Sequence, residues 1–364
     1  MMVTTNFNLE DCVKEACRQA FKERGHINVL IAGRTGVSKS TLINSIFQGN
    51  FATTGQGRPV TKYTEEIKKE GIPISIFDTR GLEMADFAST LGTLREFVRE
   101  RSNCIHPAQH IHVAWICIAE DSRRVEKAEE DLIKMLVGYQ IPVIAVITKA
   151  RSDNGFRDTV KQLLPLVSNV VRIRAISEKL DEGIVLPPMG LKELVELTMQ
   201  VIPQGTKRAF VAAQKVDLEQ KKSQSHLIVG SAAVSAAGIA AVPIPFAEVV
   251  AIVPIQIGML AGISATFGLS IDRAFLNTVI GSIIIGAGER FAVRNIASNL
   301  LKLIPGLGSI AGGAISAVTA ATFTTAIGEA YITALAMLFV RQNGQEPSSE
   351  EVAEAFKREC SAIK

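Results

Sequence analysis

Short apolar runs recur through the first 205 residues and constrain the fold more than any other feature. Each run is rich in β-branched residues, and amphipathic stretches such as "RVEKAEEDLIKMLVGY" lie between most of them. Strands that alternate with helices form a parallel sheet with helices on both faces. The sequence therefore predicts an α/β fold here. The runs are "INVLIAG", "PISIFDT", "HVAWICIA", "PVIAVIT" and "NVVRIRA".

The second half of the chain has a different composition. Charged residues are few between residues 223 and 340, where Gly, Ala, Ser and Ile dominate. A length of 364 residues also exceeds what one core usually organises. We therefore expect an α/β domain over residues 1–205 and an all-α, Gly- and Ala-rich domain over residues 206–364, joined by a charged helix. An amphipathic helix over residues 9–23 is expected to dock on the first domain.

A glycine-containing loop follows the first apolar run and leads into a helical segment. The pattern G-x-x-x-x-G-K-[ST] points backbone N–H groups and a helix N-terminus at phosphate oxygens. Lys39 would reach the β and γ phosphates, and Ser40 would bind Mg²⁺. Ser38 stands where the pattern has its second glycine, so a Cβ crowds the loop. The candidate nucleotide-binding residues of this loop are Gly33, Arg34, Thr35, Gly36, Val37, Ser38, Lys39, Ser40 and Thr41.

Three further segments follow in an order that suits the loop. "GRPVTKYT" offers the Thr61 hydroxyl for Mg²⁺ coordination, with Thr64 in reserve, and "FDTRG" ends a strand with Asp78 and Gly81. Such an aspartate holds the Mg²⁺ shell, and such a glycine donates an N–H to the γ-phosphate. "VITKA" ends another strand, at the sheet edge where ligands of these folds bind. The predicted metal ligands are Ser40, Thr61 and Asp78, and the predicted catalytic residues are Thr61 and Gly81.

This order of motifs resembles that of the translation-factor-like GTPases, notably the Era- and septin-like branches. The resemblance covers roughly residues 27–202. It implies a Ras-like P-loop G domain that binds GTP or GDP with Mg²⁺, in which Thr148 and Lys149 flank the base. As partners we expect the nucleotide and a second copy of the chain, in a homodimer or a larger self-assembly through the G domain.

Departures from the family pattern predict an altered site. Arg151 stands where T-K-x-D has the guanine-reading aspartate, and Asp153 could replace it only if the loop were remodelled. We therefore expect weak discrimination between guanine and adenine. Leu82 follows Gly81 in place of glutamine, which implies slow or partner-dependent hydrolysis. "RAISE", residues 174–178, is a poor copy of the family's S-A-K base loop. The alternative is a nucleotide-free or non-hydrolysing scaffold that keeps only the fold.

The apolar half resembles the helical domain that follows the G domain in a group of bacterial GTPase-like proteins, and more weakly that of the immunity-related GTPases. The resemblance rests on "AVPIPFAEVVAIVPIQIGMLAGISATFGLS" and "LLKLIPGLGSIAGGAISAVTAATFTTAIGEAYI". It implies a helical module that contacts membrane lipid or self-assembles. Small residues, prolines and recurring polar groups favour a bundle that attaches peripherally, with membrane-spanning helices as the alternative.

Bulk composition bounds the partners and the compartment. A net charge of +3 does not indicate a nucleic-acid surface, so no nucleic-acid partner is expected. The five cysteines are scattered and odd in number, which favours a reducing compartment. The first residues lack the basic start and apolar core of a secretory signal. We therefore expect a cytoplasmic protein that is peripherally associated with a membrane.

Overall fold

The computed structural model describes residues 8–49, 58–61, 64–79, 87–241, 247–284 and 316–362. It separates into two compact units. The α/β unit is Gly25–Asp217, and the helical unit combines Met1–Arg24 with Leu218–Lys364. The predicted fold class, an α/β G-domain fold followed by an all-α part, is confirmed.

A seven-stranded sheet forms the centre of the α/β unit. The strand order is β2-β3-β4-β1-β5-β6-β7. Strands β1, β4, β5, β6 and β7 pair in parallel and correspond to the five predicted runs. A hairpin of β2 and β3 extends the sheet in antiparallel fashion beside β4, and the sequence analysis did not predict it. The strands are β1 Ile27–Gly33, β2 Arg58–Thr61, β3 Thr64–Lys68, β4 Ile74–Thr79, β5 Val113–Ala119, β6 Val143–Thr148 and β7 Asn169–Arg172.

Helices cover both faces of this sheet, which is why its parallel strands are mostly apolar rather than alternating between apolar and polar residues. Along β1, Val29 and Ile31 face one core and Leu30 faces the other. A small hairpin of β8 (Glu178–Lys179) and β9 (Val185–Leu186) lies outside the main sheet. The helices of the unit are α2 Lys39–Ile46, α3 Phe87–Ser102, α4 Lys127–Gly138, α5 Phe156–Leu163, α6 Leu191–Val201 and α7 Lys207–Ala213.

The boundary between the units differs from the predicted one. Helix α7 belongs to the core of the α/β unit, where Phe210 is fully buried and meets Phe47 edge to face. A buried turn follows, in which the Gln214 side chain accepts from the N–H groups of Val216 and Asp217. The predicted continuous charged helix is therefore broken, and the helical unit begins at Leu218.

Within the described residues, the helical unit packs five C-terminal helices together with the N-terminal one. The predicted helix over residues 9–23 forms as α1, Leu9–Arg24, but its apolar face joins the core of this unit and not that of the α/β unit. The last helix begins with the predicted capping box, in which Ser348 and Glu351 exchange side-chain to backbone hydrogen bonds of 3.2 and 3.0 Å. The C-terminal helices are α8 Leu218–Ala240, α9 Ala247–Phe267, α10 Arg273–Ile284, α11 Ala317–Arg341 and α12 Ser349–Ala362.

One helix of the described part of the chain, α11, is long and apolar enough to cross a membrane. Its most apolar window is 61% buried inside the fold, as in the core helix of a soluble protein. Two aromatic contacts anchor it. Tyr331 lies 4.8 Å from Phe356, and Phe339 lies 6.2 Å from Phe267, between ring centroids.

Candidate functional site

The loop between β1 and α2 has the backbone that a phosphate loop requires. A Cβ at Gly33 would lie 2.5 Å from the Cys117 carbonyl oxygen, so only glycine fits where β1 passes β5. Gly36 has a φ of +80°. Ser38, the residue before the lysine, also adopts the left-handed region with φ 67° and ψ 31°. The motif has glycine at position 38 because the loop requires a left-handed backbone there, which glycine adopts without strain. Ser38 adopts the same left-handed conformation with a side chain present.

Lys39 joins the loop to the neighbouring strand. Its Nζ donates to the carbonyl oxygens of Gly33 at 2.8 Å and Arg34 at 3.3 Å. The same nitrogen lies 3.9 Å from Oδ1 of Asp78, whose side chain is buried. Asp78 is in β4, where it pairs in register with Ile31 of β1. The structure therefore brings Lys39 and Asp78 together, and Ser40 follows Lys39 in the first turn of α2.

A cavity of about 320 Å³ lies between the phosphate loop and the ends of β6 and β7. The predicted residues Ser38, Thr41, Thr148 and Lys149 border it, and so do apolar side chains that suit the face of a base. The structure therefore brings segments 38–41 and 148–151 to one cavity. The lining residues are Ser38, Thr41, Leu42, Asp121, Thr148, Lys149, Arg151, Ile173, Arg174, Ala175, Ile176, Ser177 and Glu178.

Glu120 organises the base side of this site, and the sequence analysis missed it. One carboxylate oxygen accepts from the N–H groups of Arg151 at 2.6 Å and Ser152 at 2.9 Å, and the other from Arg172 Nε at 2.6 Å. Burial alone would raise the pKa of Glu120, but these hydrogen bonds outweigh it and lower the pKa. The charged carboxylate therefore fixes the backbone that carries Arg151. The only sequence signal was an acid at the end of the run "HVAWICIA".

Arg151 and Asp153 are both engaged by other groups. The Arg151 guanidinium binds Oε1 of Glu178, with Nε at 2.8 Å and Nη2 closer. Asp153 Oδ1 accepts from the N–H of Arg157 at 2.9 Å in the first turn of α5, and it lies 3.5 Å from Arg172 Nε. Asp153 is not among the residues that line the cavity. In this structure it does not replace the missing aspartate.

A second cavity, of about 270 Å³, borders the other side of Lys149. The loop residues Arg34, Thr35, Gly36 and Val37 line it, together with the start of α4. The Arg34 side chain is held by an ion pair, in which its Nη1 lies 3.1 Å from Oε1 of Glu126. Asp121 and Lys149 line both cavities, and their charged groups are 3.5 Å apart. Both cavities therefore border Lys149 and the phosphate loop.

The remaining predicted residues are less well placed. Thr61 ends β2 and pairs with Thr64 of β3, which pairs with Thr79 of β4. Two strand spacings, roughly 10 Å, therefore separate Thr61 from β4. The structure does not place Thr61 at the Lys39–Asp78 contact, so its role in metal binding and catalysis stays a prediction. Gly81, Arg80 and Leu82 lie outside the described residues.

The fold and this site define a P-loop nucleotide-binding domain of the GTPase type. Residues 28–149 match the family described as 50S ribosome-binding GTPase. Residues 205–359 match a domain of unknown function, DUF697. A GTPase G domain is therefore present in the α/β unit, and the prediction of GTP or GDP with Mg²⁺ as ligands agrees with it. The match does not distinguish an Era- or septin-like branch.

Similar proteins cover only part of the chain. The tRNA modification GTPase MnmE of Pasteurella multocida is 27% identical over 186 residues, which is 50% of this chain and 38% of that protein. MnmE of Burkholderia ambifaria is 30% identical over 136 residues, 36% of this chain and 27% of that protein. A solved structure of a probable GTP-binding protein, engB, is 16% identical and covers 48% of this chain, with a TM-score of 0.33. The chain thus spans less than half the length of these MnmE relatives.

Proposed function

We propose that the protein is a GTP-binding protein, and a slow or partner-dependent GTPase of the Era- or septin-like kind, whose nucleotide state controls its helical unit. The observation that carries this proposal is the placement of Lys39. Its Nζ lies between two loop carbonyls and the buried Asp78, beside a cavity lined by Thr148 and Lys149. A cation held there supports the binding of β and γ phosphates.

The residues present fit a magnesium nucleotide. Gly33 and Gly36 give the loop the close approach that phosphate binding needs, and Ser40 and Asp78 supply a hydroxyl and a buried carboxylate of the kind Mg²⁺ prefers. Bound Mg²⁺ would neutralise charge on the β and γ phosphates. Thr61 would join the coordination through a movement of the β2 segment, which would make that segment sensitive to the γ-phosphate.

The alternative of a non-hydrolysing scaffold is not favoured, because the α/β unit matches a GTPase family and keeps Lys39 and Asp78 in contact. Slow hydrolysis is proposed because Leu82, not a glutamine, follows Gly81. A partner or a second copy of the chain would then supply the water-positioning group. The absence of a nucleic-acid partner stays a prediction from the net charge. The MnmE relatives are named tRNA modification GTPases, and that name refers to those proteins.

For the helical unit we propose peripheral attachment to a membrane on the cytoplasmic side. Exposed apolar side chains on α8 and α11 support it, with Leu227 66% and Val318 75% exposed. Two of the acidic groups within the unit have partners in the fold. Oδ1 of Asp272 accepts from the N–H of Phe275 at 2.6 Å, and Glu329 lies 2.9 Å from His226.

The test of nucleotide binding compares Lys39→Ala with Lys134→Ala. Lys134 lies on α4, and its ammonium group lies 3.8 Å from Glu130 on the surface. Titration with GDP and Mg²⁺ should show that Lys39→Ala weakens binding by roughly 10–100-fold, the loss expected for charged hydrogen bonds. Lys134→Ala should leave the affinity unchanged. Absence of GDP and GTP binding by the wild-type protein would reject the proposal.

A further inference from the structure

The base-side cavity contains an acid that the motif comparison does not find. Glu178 lies at the start of the β8–β9 hairpin and reaches the cavity from the segment that follows β7. Arg151 binds Oε1 of Glu178 with both of its contacting nitrogens, so Oε2 lies outside that ion pair. The side chain of Glu178 is 27% exposed, whereas that of Arg151 is 59% exposed. The carboxylate is thus the more enclosed partner.

Guanine presents two neighbouring N–H donors, at N1 and at the exocyclic N2, and a carboxylate can accept both. Of the residues that line this cavity, Asp121 and Glu178 carry carboxylates. Asp121 also borders the second cavity, beside the phosphate loop, where it lies 3.5 Å from Lys149. Glu178 lines the base-side cavity only, next to Ile176 and the arginine at the motif position.

We propose that Glu178, held by Arg151, reads the guanine base in place of the aspartate that the motif lacks. This inference rests on the proposed function and deepens it, since it assigns the specificity of the same site. It replaces the expectation of weak base discrimination with one of retained guanine preference. In this assignment Arg151 orients the Glu178 carboxylate, which comes from another loop, toward the base.

Charge supports this assignment. The hydrogen bond from Arg151 lowers the pKa of the Glu178 carboxyl, so the group is ionised at neutral pH and acts as an acceptor only. Adenine has an unprotonated N1 at the matching edge of the ring, and it would face a carboxylate with no proton to share. Discrimination against adenine follows from this mismatch.

The experiment measures dissociation constants of GDP, ADP and xanthosine diphosphate for the full chain, with Mg²⁺, by calorimetry. Xanthine carries a carbonyl oxygen where guanine carries its exocyclic amine. Glu178→Gln offers an N–H that can donate to that oxygen, so it should lower the preference for GDP over ADP at least tenfold. It should also raise the affinity for xanthosine diphosphate relative to GDP by about tenfold, which a merely damaged protein would not do.

Two variants serve as controls. Asp121→Asn removes the other acid of the cavity, and Asp181→Asn changes an exposed acid in the same hairpin. Both should keep the wild-type order of preference. A base switch in Asp121→Asn, or an unchanged order in Glu178→Gln, would overturn the assignment to Glu178. Equal binding of GDP and ADP by the wild type would overturn base reading while leaving nucleotide binding intact. Absence of all nucleotide binding would reject the proposed function itself.

Discussion

Ser38 shows how one residue can weaken a motif without removing it. A left-handed residue with a Cβ costs roughly 1–2 kcal/mol relative to the right-handed region, and glycine avoids most of that cost. The chain nevertheless keeps the loop conformation at Ser38, because Gly33, Val37 and the start of α2 are fixed by their packing. The strain is therefore a property of the folded loop.

Replacing this serine tests the strain directly. Ser38→Gly should stabilise the α/β unit by about 1 kcal/mol and tighten GDP binding, since the loop N–H groups are then held without strain. Unfolding followed by fluorescence of Trp115, the single tryptophan and a core residue of this unit, measures the first effect. Titration with GDP measures the second.

The matched control is Gln140→Gly. Gln140 has a φ of 60° in the turn after α4. This change should also stabilise the unit, but it should leave GDP affinity as it is. If Ser38→Gly stabilised the fold and did not alter nucleotide binding, the altered loop position would not be what limits affinity.

Glu129 gives the α/β unit a pH dependence. Burial raises the pKa of its carboxyl from an ordinary 4.5 to about 7. Between these values the folded state holds a proton that the unfolded state releases, so the free energy of unfolding falls as the pH rises from about 4.5 to about 7. Glu129→Gln removes this loss. It should raise stability at pH 8 by about 1–3 kcal/mol and show little gain near pH 5.

Denaturant unfolding at several pH values measures this effect. The amide oxygen of glutamine can still accept from the Glu126 N–H, which now lies 2.5 Å from the Glu129 carboxylate, so the helix cap is kept. Glu130→Gln, on the outer face of the same helix beside Lys127, is the control and should not stabilise the unit at pH 8. A gain from Glu129→Gln that did not vary with pH would contradict the assignment.

Among the elements of the helical unit, α8 and α11 approach closely at Gly328. A Cβ there would lie 2.5 Å from a methyl group of the buried Val229 and 3.1 Å from Sδ of Met259. Gly328→Ala should therefore destabilise this unit by about 1–3 kcal/mol through overpacking. The change is visible in the helical signal of circular dichroism, while Trp115 fluorescence follows the α/β unit.

Gly238→Ala is the opposite case. A Cβ at Gly238, in α8, meets nothing within 4 Å. Alanine there should stabilise the helix by roughly 0.5–1 kcal/mol, the ordinary gain over glycine. Equal effects of the two substitutions would show that helix propensity, and not the contact at Gly328, decides the outcome.

The sequence predicts which strands and helices form better than it predicts which other elements they pack against. The five parallel strands are found because apolar runs record burial on both faces. The β2–β3 hairpin is not, since its short strands lack such a run. The periodicity of α1 shows which face is apolar but not which unit covers it, so the prediction that α1 docks on the α/β unit is wrong. At the site, local spacing identifies Lys39, whereas Glu120 and Glu178 reach Arg151 across 31 and 27 positions, which no spacing rule covers.

At the scale of the whole molecule, the proposal of peripheral membrane attachment makes a prediction about the helical unit. If α11 spanned a bilayer alone, Glu329 would enter the hydrocarbon, at a cost of at least about 2.5–3.5 kcal/mol for a charge near its centre. In the bundle Glu329 contacts His226, and Arg273 of α10 contacts Glu10 of α1. Spanning would break contacts that the bundle makes, so we expect the unit to stay folded and to bind through exposed apolar side chains.

Extraction of the native membrane fraction tests this expectation. Alkaline carbonate should release the protein, and the purified chain should be monodisperse without detergent, because the bundle buries its own apolar core. Leu227→Glu places a charge on the exposed face of α8 and should reduce the membrane-bound fraction without unfolding the unit. An integral membrane protein in the same preparation is the control for complete extraction. Resistance to carbonate together with solubility only in detergent would mean that the apolar helices span the bilayer, and peripheral attachment would be wrong.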